Sequence, residues 1–256
     1  MRAYFLGVTE DANNKKRIRI MRIKTIALGC AFALSLTSAL SFAEMIEVYT
    51  WKAFPGKSAE MINTFTKAKS IHEEAGASVA IIQRMTGSTQ EVDYVMRWDD
   101  ATAWGASMDA ANSPKMAAKW QSFLAKANLN PSGEMVGSVS GTNLDGSKKA
   151  SDFDGSLVYG AWVWKVAPEK SADFVARVMT SKKIHESLGA RVEVYAEGVG
   201  GTGNMHYVMF WDSYSDWAES VDKMSSSKEW AAQQANRDSS VATMVASHRG
   251  QTMVAQ

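Results

Sequence analysis

The chain has 256 residues, with 28 Lys and Arg against 27 Asp and Glu, one cysteine, and 46% hydrophobic residues, enough for an ordinary core. Seven of the basic and two of the acidic residues fall within 1–43, so the remainder carries a net charge of −4. A mildly acidic chain does not attract phosphate backbones or anionic lipid, which argues against nucleic-acid and membrane-surface partners. The cysteine, Cys30, also lies within 1–43, so the remainder has no disulfide, no thiolate nucleophile and no cysteine-held metal.

Met21-Arg22-Ile23-Lys24 is a short basic segment, followed by an apolar run from Thr25 to Leu36 and by small residues up to Ala43. This is the layout of a secretory signal peptide with cleavage after Ala43. The run is shorter than the roughly 20 apolar residues of a membrane span. The expectation is a leader over 1–43 with its start at Met21, a periplasmic or secreted protein, and no membrane attachment after cleavage.

Beyond the leader, Ile46 to Lys52 alternates and is rich in β-branched and aromatic residues, which predicts a strand. Pro55-Gly56 turns the chain, and Lys57 to Ala75 reads as a helix closed by Gly76. Val79 to Met85 and Val92 to Trp98 are two further strands joined around Gly87-Ser88. Asp99 or Asp100 caps a second helix that breaks at Asn112-Ser113-Pro114 and resumes as Lys115 to Lys126, and Glu134 to Ser140 is a last strand. The order β-α-β-β-α-β is the ferredoxin-like arrangement.

A shift of 113 residues then lays the rest of the chain on this first part. Trp51-Lys52 meets Trp164-Lys165, Ile71-His72-Glu73 meets Ile184-His185-Glu186, and Tyr94-Val95-Met96 meets Tyr207-Val208-Met209. The predicted domains are 44–140 and 157–256, joined by a linker over 141–156. Each half would cover one sheet face with helices and leave the other bare. The predicted fold class is therefore α+β: two tandem ferredoxin-like βαββαβ half-domains packed sheet to sheet, an intrachain pseudo-dimeric barrel in a monomer.

The strand leading into Pro55-Gly56-Lys57 and its counterpart Pro168-Glu169-Lys170, the helix ending in Ile71-His72-Glu73 before Gly76, and the Tyr94 to Trp98 strand before an Asp-capped helix resemble the dimeric α+β barrel superfamily. The likeness is greatest to its NIPSNAP-like and antibiotic-biosynthesis-monooxygenase-like members, over residues 45–140 and 157–254. That superfamily includes enzymes, haem proteins and plain ligand binders, so the resemblance implies a fold more than a function.

Alternation separates the strand faces. Val79, Ile81 and Met85 are assigned to the helix-covered face with Val192 and Val194, which sends Ser78, Ala80, Ile82 and Arg84 inward with Arg191, Glu193, Tyr195 and Glu197. On the third strand, Asp93, Val95 and Arg97 differ from His206, Val208 and Phe210, marking the face where the halves have diverged. Tyr49, Trp51, Trp162 and Trp164 would supply aromatic walls. The candidate ligand-binding residues between the sheets are thus Tyr49, Trp51, Arg84, Arg97, Trp162, Trp164, Arg191, Glu193 and Tyr195, although large aromatics also serve simply as packing units.

The candidate catalytic residues are His72, His185 and His206, as imidazoles able to move a proton near neutral pH. Met61, Phe65, Ala68 and His72 share one helix face, as do Phe174, Val178, Ser181 and His185, so both helical histidines point inward. Their place in the last turn also suits bonding to free helix carbonyls. Four histidines without close His-x-x-His spacing predict no metal site, and no cofactor is required. A lone axial histidine for haem, His206 or His72, is the arrangement that relatives of this fold would allow. No nucleophile elbow, phosphate loop or dinucleotide fingerprint is present. These features predict a binder of a small apolar or aromatic molecule. The alternatives are a cofactor-independent monooxygenase or isomerase acting on such a molecule, and an interaction protein with a filled interior.

Overall fold

The computed structural model describes residues 43–87 and 91–253. The expected leader lies outside these residues except for Ala43, as does Ser88 of the expected turn.

The described chain runs β1 (Met45–Ala53), α1 (Ser58–Glu74), β2 (Ser78–Thr86), β3 (Glu91–Trp98), α2 (Ala101–Ala111), α3 (Pro114–Ala127) and β4 (Gly133–Asn143). A 3-10 turn at Ala150–Phe153 follows, then β5 (Val158–Val166), α4 (Ser171–Ser187), β6 (Arg191–Glu197), β7 (Met205–Trp211), α5 (Tyr214–Ser226), α6 (Lys228–Ala235) and β8 (Ala242–Thr252). The local signals act as their chemistry requires. Asp100 caps α2 by accepting from the Ala103 amide, Pro114 opens α3, and Gly76 and Gly189 take the left-handed conformation after α1 and α4 at φ 103° and 100°.

All strand pairs are antiparallel, and the eight strands close into one barrel in the order β1-β3-β2-β8-β5-β7-β6-β4. The expected barrel is present, and its two halves meet by hydrogen bonds between strand edges. β2 hydrogen-bonds to β8 with Ile82 opposite Thr252, and β4 to β6 with Asn143 opposite Tyr195. Joining the edges satisfies backbone groups that two separate sheets would leave bare.

The expected linker is corrected. Gly141 to Asn143 extend β4 and form its seam with β6, while Phe153 of the 3-10 turn is buried on the rings of the barrel interior.

Helices cover the outer face through two separate cores, one around Met61, Phe65, Tyr94 and Trp98 and one around Phe174, Val192, Tyr207 and Trp211. A third cluster, with Ile46, Val95, Tyr159, Tyr195 and Phe210, fills part of the interior. Met85, expected beneath the helices with Val79 and Ile81, is half exposed, because the register against β8 shifts between Arg84 and Thr86 and frees the strand end. Among the described residues no helix is long and apolar enough to cross a membrane.

Candidate functional site

The strand register divides the candidate residues into two groups that do not meet. Tyr49 stands opposite Tyr94 and Trp51 opposite Val92, so both share the helix-covered face of β3; Trp162 stands opposite Tyr207 in the same way. The placement of Tyr49, Trp51, Trp162 and Trp164 between the sheets is therefore corrected: they form walls of two outer pockets, one in each half. The first holds about 380 Å³, lined among others by Trp51, Phe65, His72, Tyr94 and Trp120. The second holds about 480 Å³, lined among others by Trp164, Phe174, His185, Tyr207 and Trp230.

At the floor of each pocket lies the same polar pair. His72 Nδ1 is 2.7 Å from the Tyr94 hydroxyl, and His185 Nδ1 is 2.7 Å from the Tyr207 hydroxyl. The histidines thus bind the sheet and not the free carbonyls of their own helices. Trp120 and Trp230 lie over the two imidazoles with centroids 4.8 and 4.3 Å away. Burial pushes both tyrosines well above the usual phenol range and lowers both histidines, His185 to about 4. The imidazoles are accordingly neutral near pH 7. His185 Nε2 is buried without a hydrogen-bond partner.

The barrel interior encloses a third cavity of about 260 Å³ with a different lining. Arg84, Arg97, Tyr195 and His206 reach it, in agreement with the face assigned to them. Arg84 makes two bonds to Asp93, at 2.8 and 2.7 Å, and one to Glu91 at 2.6 Å. His206 Nε2 is 2.8 Å from Glu197 Oε1. Burial pushes the Glu197 carboxyl up, but hydrogen bonds from His206 and from the Asn204 and Thr202 amides outweigh it and hold the group at about 2. The interior is not filled with side chains, which removes the premise of the interaction-only reading.

Arg191 and Glu193 follow the inward alternation but do not line this cavity, and their assignment to it is corrected. Arg191 lies at the start of β6 and bonds to the Asp152 carbonyl, Ser156 and Asp212, fastening the segment between the halves. Glu193 is fully buried at the β4–β6 seam, bonded to Asn143, with burial raising it to about 7.

Sequence reasoning missed Tyr159, His248 and Glu44. The Tyr159 hydroxyl bonds to His248 Nε2 beside Asp93, and Glu44 Oε2 accepts from Asn143 and Tyr195 at 2.8 and 3.0 Å. Extending the alternation of β8 through Ala246 and His248 would have found the histidine. Nothing in the sequence pattern marks Glu44, which sits beside the expected cleavage point.

Neither a protein-family model nor a curated protein matches the chain. Several solved structures do. A candidate monooxygenase of Fusobacterium nucleatum subsp. nucleatum is 9% identical, with TM-score 0.55 over 82% of this chain and 91% of that one. An anthrone oxidase-like protein is 12% identical, with TM-score 0.53 over 84% and 93%. A candidate monooxygenase of Lactobacillus acidophilus is 9% identical, with TM-score 0.52 over 82% and 93%. At these identities the likeness shows the fold alone, an α+β ferredoxin-like fold.

Proposed function

We propose that this is an exported small-molecule-binding barrel built from two tandem ferredoxin-like halves, and that a small apolar or aromatic molecule sits in the outer pocket of the second half. The observation that carries this reading is the buried, unpartnered His185 Nε2 at a 480 Å³ aromatic pocket. Tyr207 keeps its proton and can donate it to His185 Nδ1, which leaves Nε2–H as a donor for one polar group on an otherwise apolar ligand. The first-half pocket repeats the arrangement in a smaller volume. Titration with the neutral probe N-phenyl-1-naphthylamine tests it. Saturable fluorescence enhancement is expected, and Ser181→Phe, which fills the pocket from α4, should abolish most of it. An enhancement that Ser181→Phe leaves intact would place the probe elsewhere.

Catalysis in this pocket is the second reading, and the His185–Tyr207 pair favours it. In the other tautomer His185 Nδ1–H donates to the Tyr207 oxygen and Nε2 carries a lone pair, which makes it a base able to deprotonate an electron-rich aromatic substrate. A cofactor-independent monooxygenase or isomerase needs such a base, and the folds sharing this architecture include the candidate monooxygenases and the anthrone oxidase-like protein named above. Oxygen uptake with anthrone, compared between the native chain and His185→Gln, decides this reading. Export rests on the basic, apolar and small-residue segments of 21–43; N-terminal sequencing of protein from the periplasmic fraction should begin at Glu44.

A further inference from the structure

Inside the barrel, Arg97 is only 4% exposed and lines the 260 Å³ cavity. Its guanidinium makes no hydrogen bond among the described residues. Nε lies 3.7 Å from Glu44 Oε1, beyond hydrogen-bond length, and both atoms are buried without partners. The flat faces are occupied, with the Phe153 ring at 4.1 Å and the Phe210 ring at 5.4 Å. Arg84, by contrast, spends its guanidinium on Asp93, Glu91 and Thr50. Arginine stays charged and carries five donors in a fork that fits a carboxylate. Glu44 stands on the Nε side, so both Nη groups remain unspent.

The sequence adds a second observation. Under the shift of 113 residues, the polar pair and one aromatic wall of the outer pocket repeat unchanged: His72 as His185, Tyr94 as Tyr207, Trp51 as Trp164. Apart from Val95, which recurs as Val208, the interior residues facing the cavity change. Arg97 becomes Phe210, Asp93 becomes His206, and Ile46 and Ile82 become Tyr159 and Tyr195. A space filled only for packing could use one apolar set twice, whereas here Arg84, Asp93 and Arg97 of the first half answer to Glu197, His206 and Phe210 of the second.

We propose that the barrel interior is a second binding site, distinct from the outer pockets, that takes a small monocarboxylate with an apolar body through the Nη groups of Arg97. The walls beside Arg97 include Ile46, Val95 and Val208, which suit a ring or short branched chain. The cavity is smaller than the roughly 300–1,000 Å³ of pockets for drug-sized molecules, so the acid is a small one. Phe153 lies over the Arg97 end, while the His206 side chain, 26% exposed, marks the accessible side.

Calorimetry with benzoate and its neutral isostere benzamide, using the full chain, tests the site. Benzoate should bind about tenfold or more tightly than benzamide, as expected for a charge-assisted bond lost. Arg97→Gln should weaken benzoate by a similar factor while leaving the N-phenyl-1-naphthylamine titration unchanged. Val208→Phe, which keeps the guanidinium and fills the cavity, should also prevent benzoate binding, so the result does not depend on how well Arg97→Gln folds. Ser181→Phe should leave benzoate binding intact. The proposal is overturned if benzoate and benzamide bind alike, if benzoate gives no saturable heat at millimolar concentration, if Val208→Phe binds benzoate as the native chain does, or if Ser181→Phe abolishes it and so places the acid in the outer pocket.

Discussion

His185 Nδ1 and the Tyr207 hydroxyl, 2.7 Å apart, tie the last turn of α4 to the strand β7 beneath it, and His72 with Tyr94 repeats the tie in the first half. The two ties differ in burial: His185 is enclosed, His72 is partly open. Tyr207→Phe leaves a buried imidazole nitrogen unpaired, at a cost of about 1–3 kcal/mol. Tyr94→Phe should cost less, since water can reach its histidine. Urea midpoints of the two variants give the comparison, and equal losses would mean that burial does not set the strength of these bonds.

Acid should destabilise the barrel before its ordinary carboxylates titrate. Burial lowers His185 from 6.5 to about 4; burial, with Arg84 adding to it, lowers His248 to about 4 against the opposing charge of Asp93. Both folded values lie below the unfolded one, so the stabilisation is complete above pH 6.5 and is lost as pH falls toward 4. The loss is on the order of 2–3 kcal/mol per histidine at the low end. Melting temperatures measured from pH 7 to 4 should fall, less steeply in His185→Gln; an unchanged slope in that variant would show that His185 is not held neutral.

The element order and the faces of β2, β3, β6 and β7 can be read from alternation, because a half-buried strand writes its environment into every second position. Alternation does not say how the halves join. The face of Tyr49 and Trp51 is set by their partners Tyr94 and Val92 on β3, and the pairing of β2 with β8 depends on contacts distant in sequence. Depth was equally hidden: Arg191, Glu193 and Tyr195 share one parity, yet only Tyr195 reaches the cavity. His248 lies near the end of β8, opposite Ala161, where the pairing of the last strand with β5 and not any local motif turns it toward the cavity.

Glu169 takes φ 63° at the turn where the first half has Gly56 at φ 76°. A left-handed residue with a Cβ costs roughly 1–2 kcal/mol, and glycine avoids this while giving back about 0.5–1 kcal/mol through the freer unfolded chain. Glu169→Gly should therefore stabilise by about 0.5–1 kcal/mol, and Gly56→Ala should destabilise. Thermal unfolding of both variants checks the pair; a less stable Glu169→Gly would show that the glutamate side chain makes a contribution outweighing its backbone strain.

Glu193 gives the opposite pH signature to the histidines. It is fully buried, one oxygen bonds to the Asn143 amide, and Lys182 Nζ stands 3.9 Å from the other, which has no hydrogen-bond partner. Burial raises the carboxyl from 4.5 to about 7; Asn143 and Lys182 draw it back, and the nearby Glu44 adds to the rise. Because the folded value exceeds the unfolded one, the group's favourable contribution is complete below pH 4.5 and is lost as pH climbs through 7. Glu193→Gln removes the charge and keeps an acceptor for Asn143, so it should be more stable than the native chain at pH 8 by on the order of 2–3 kcal/mol and nearly equal to it at pH 4. Urea unfolding at the two pH values separates this from a structural ion pair. If Glu193→Gln is the less stable protein at pH 8, the carboxylate is ionised there and Lys182 more than compensates its burial.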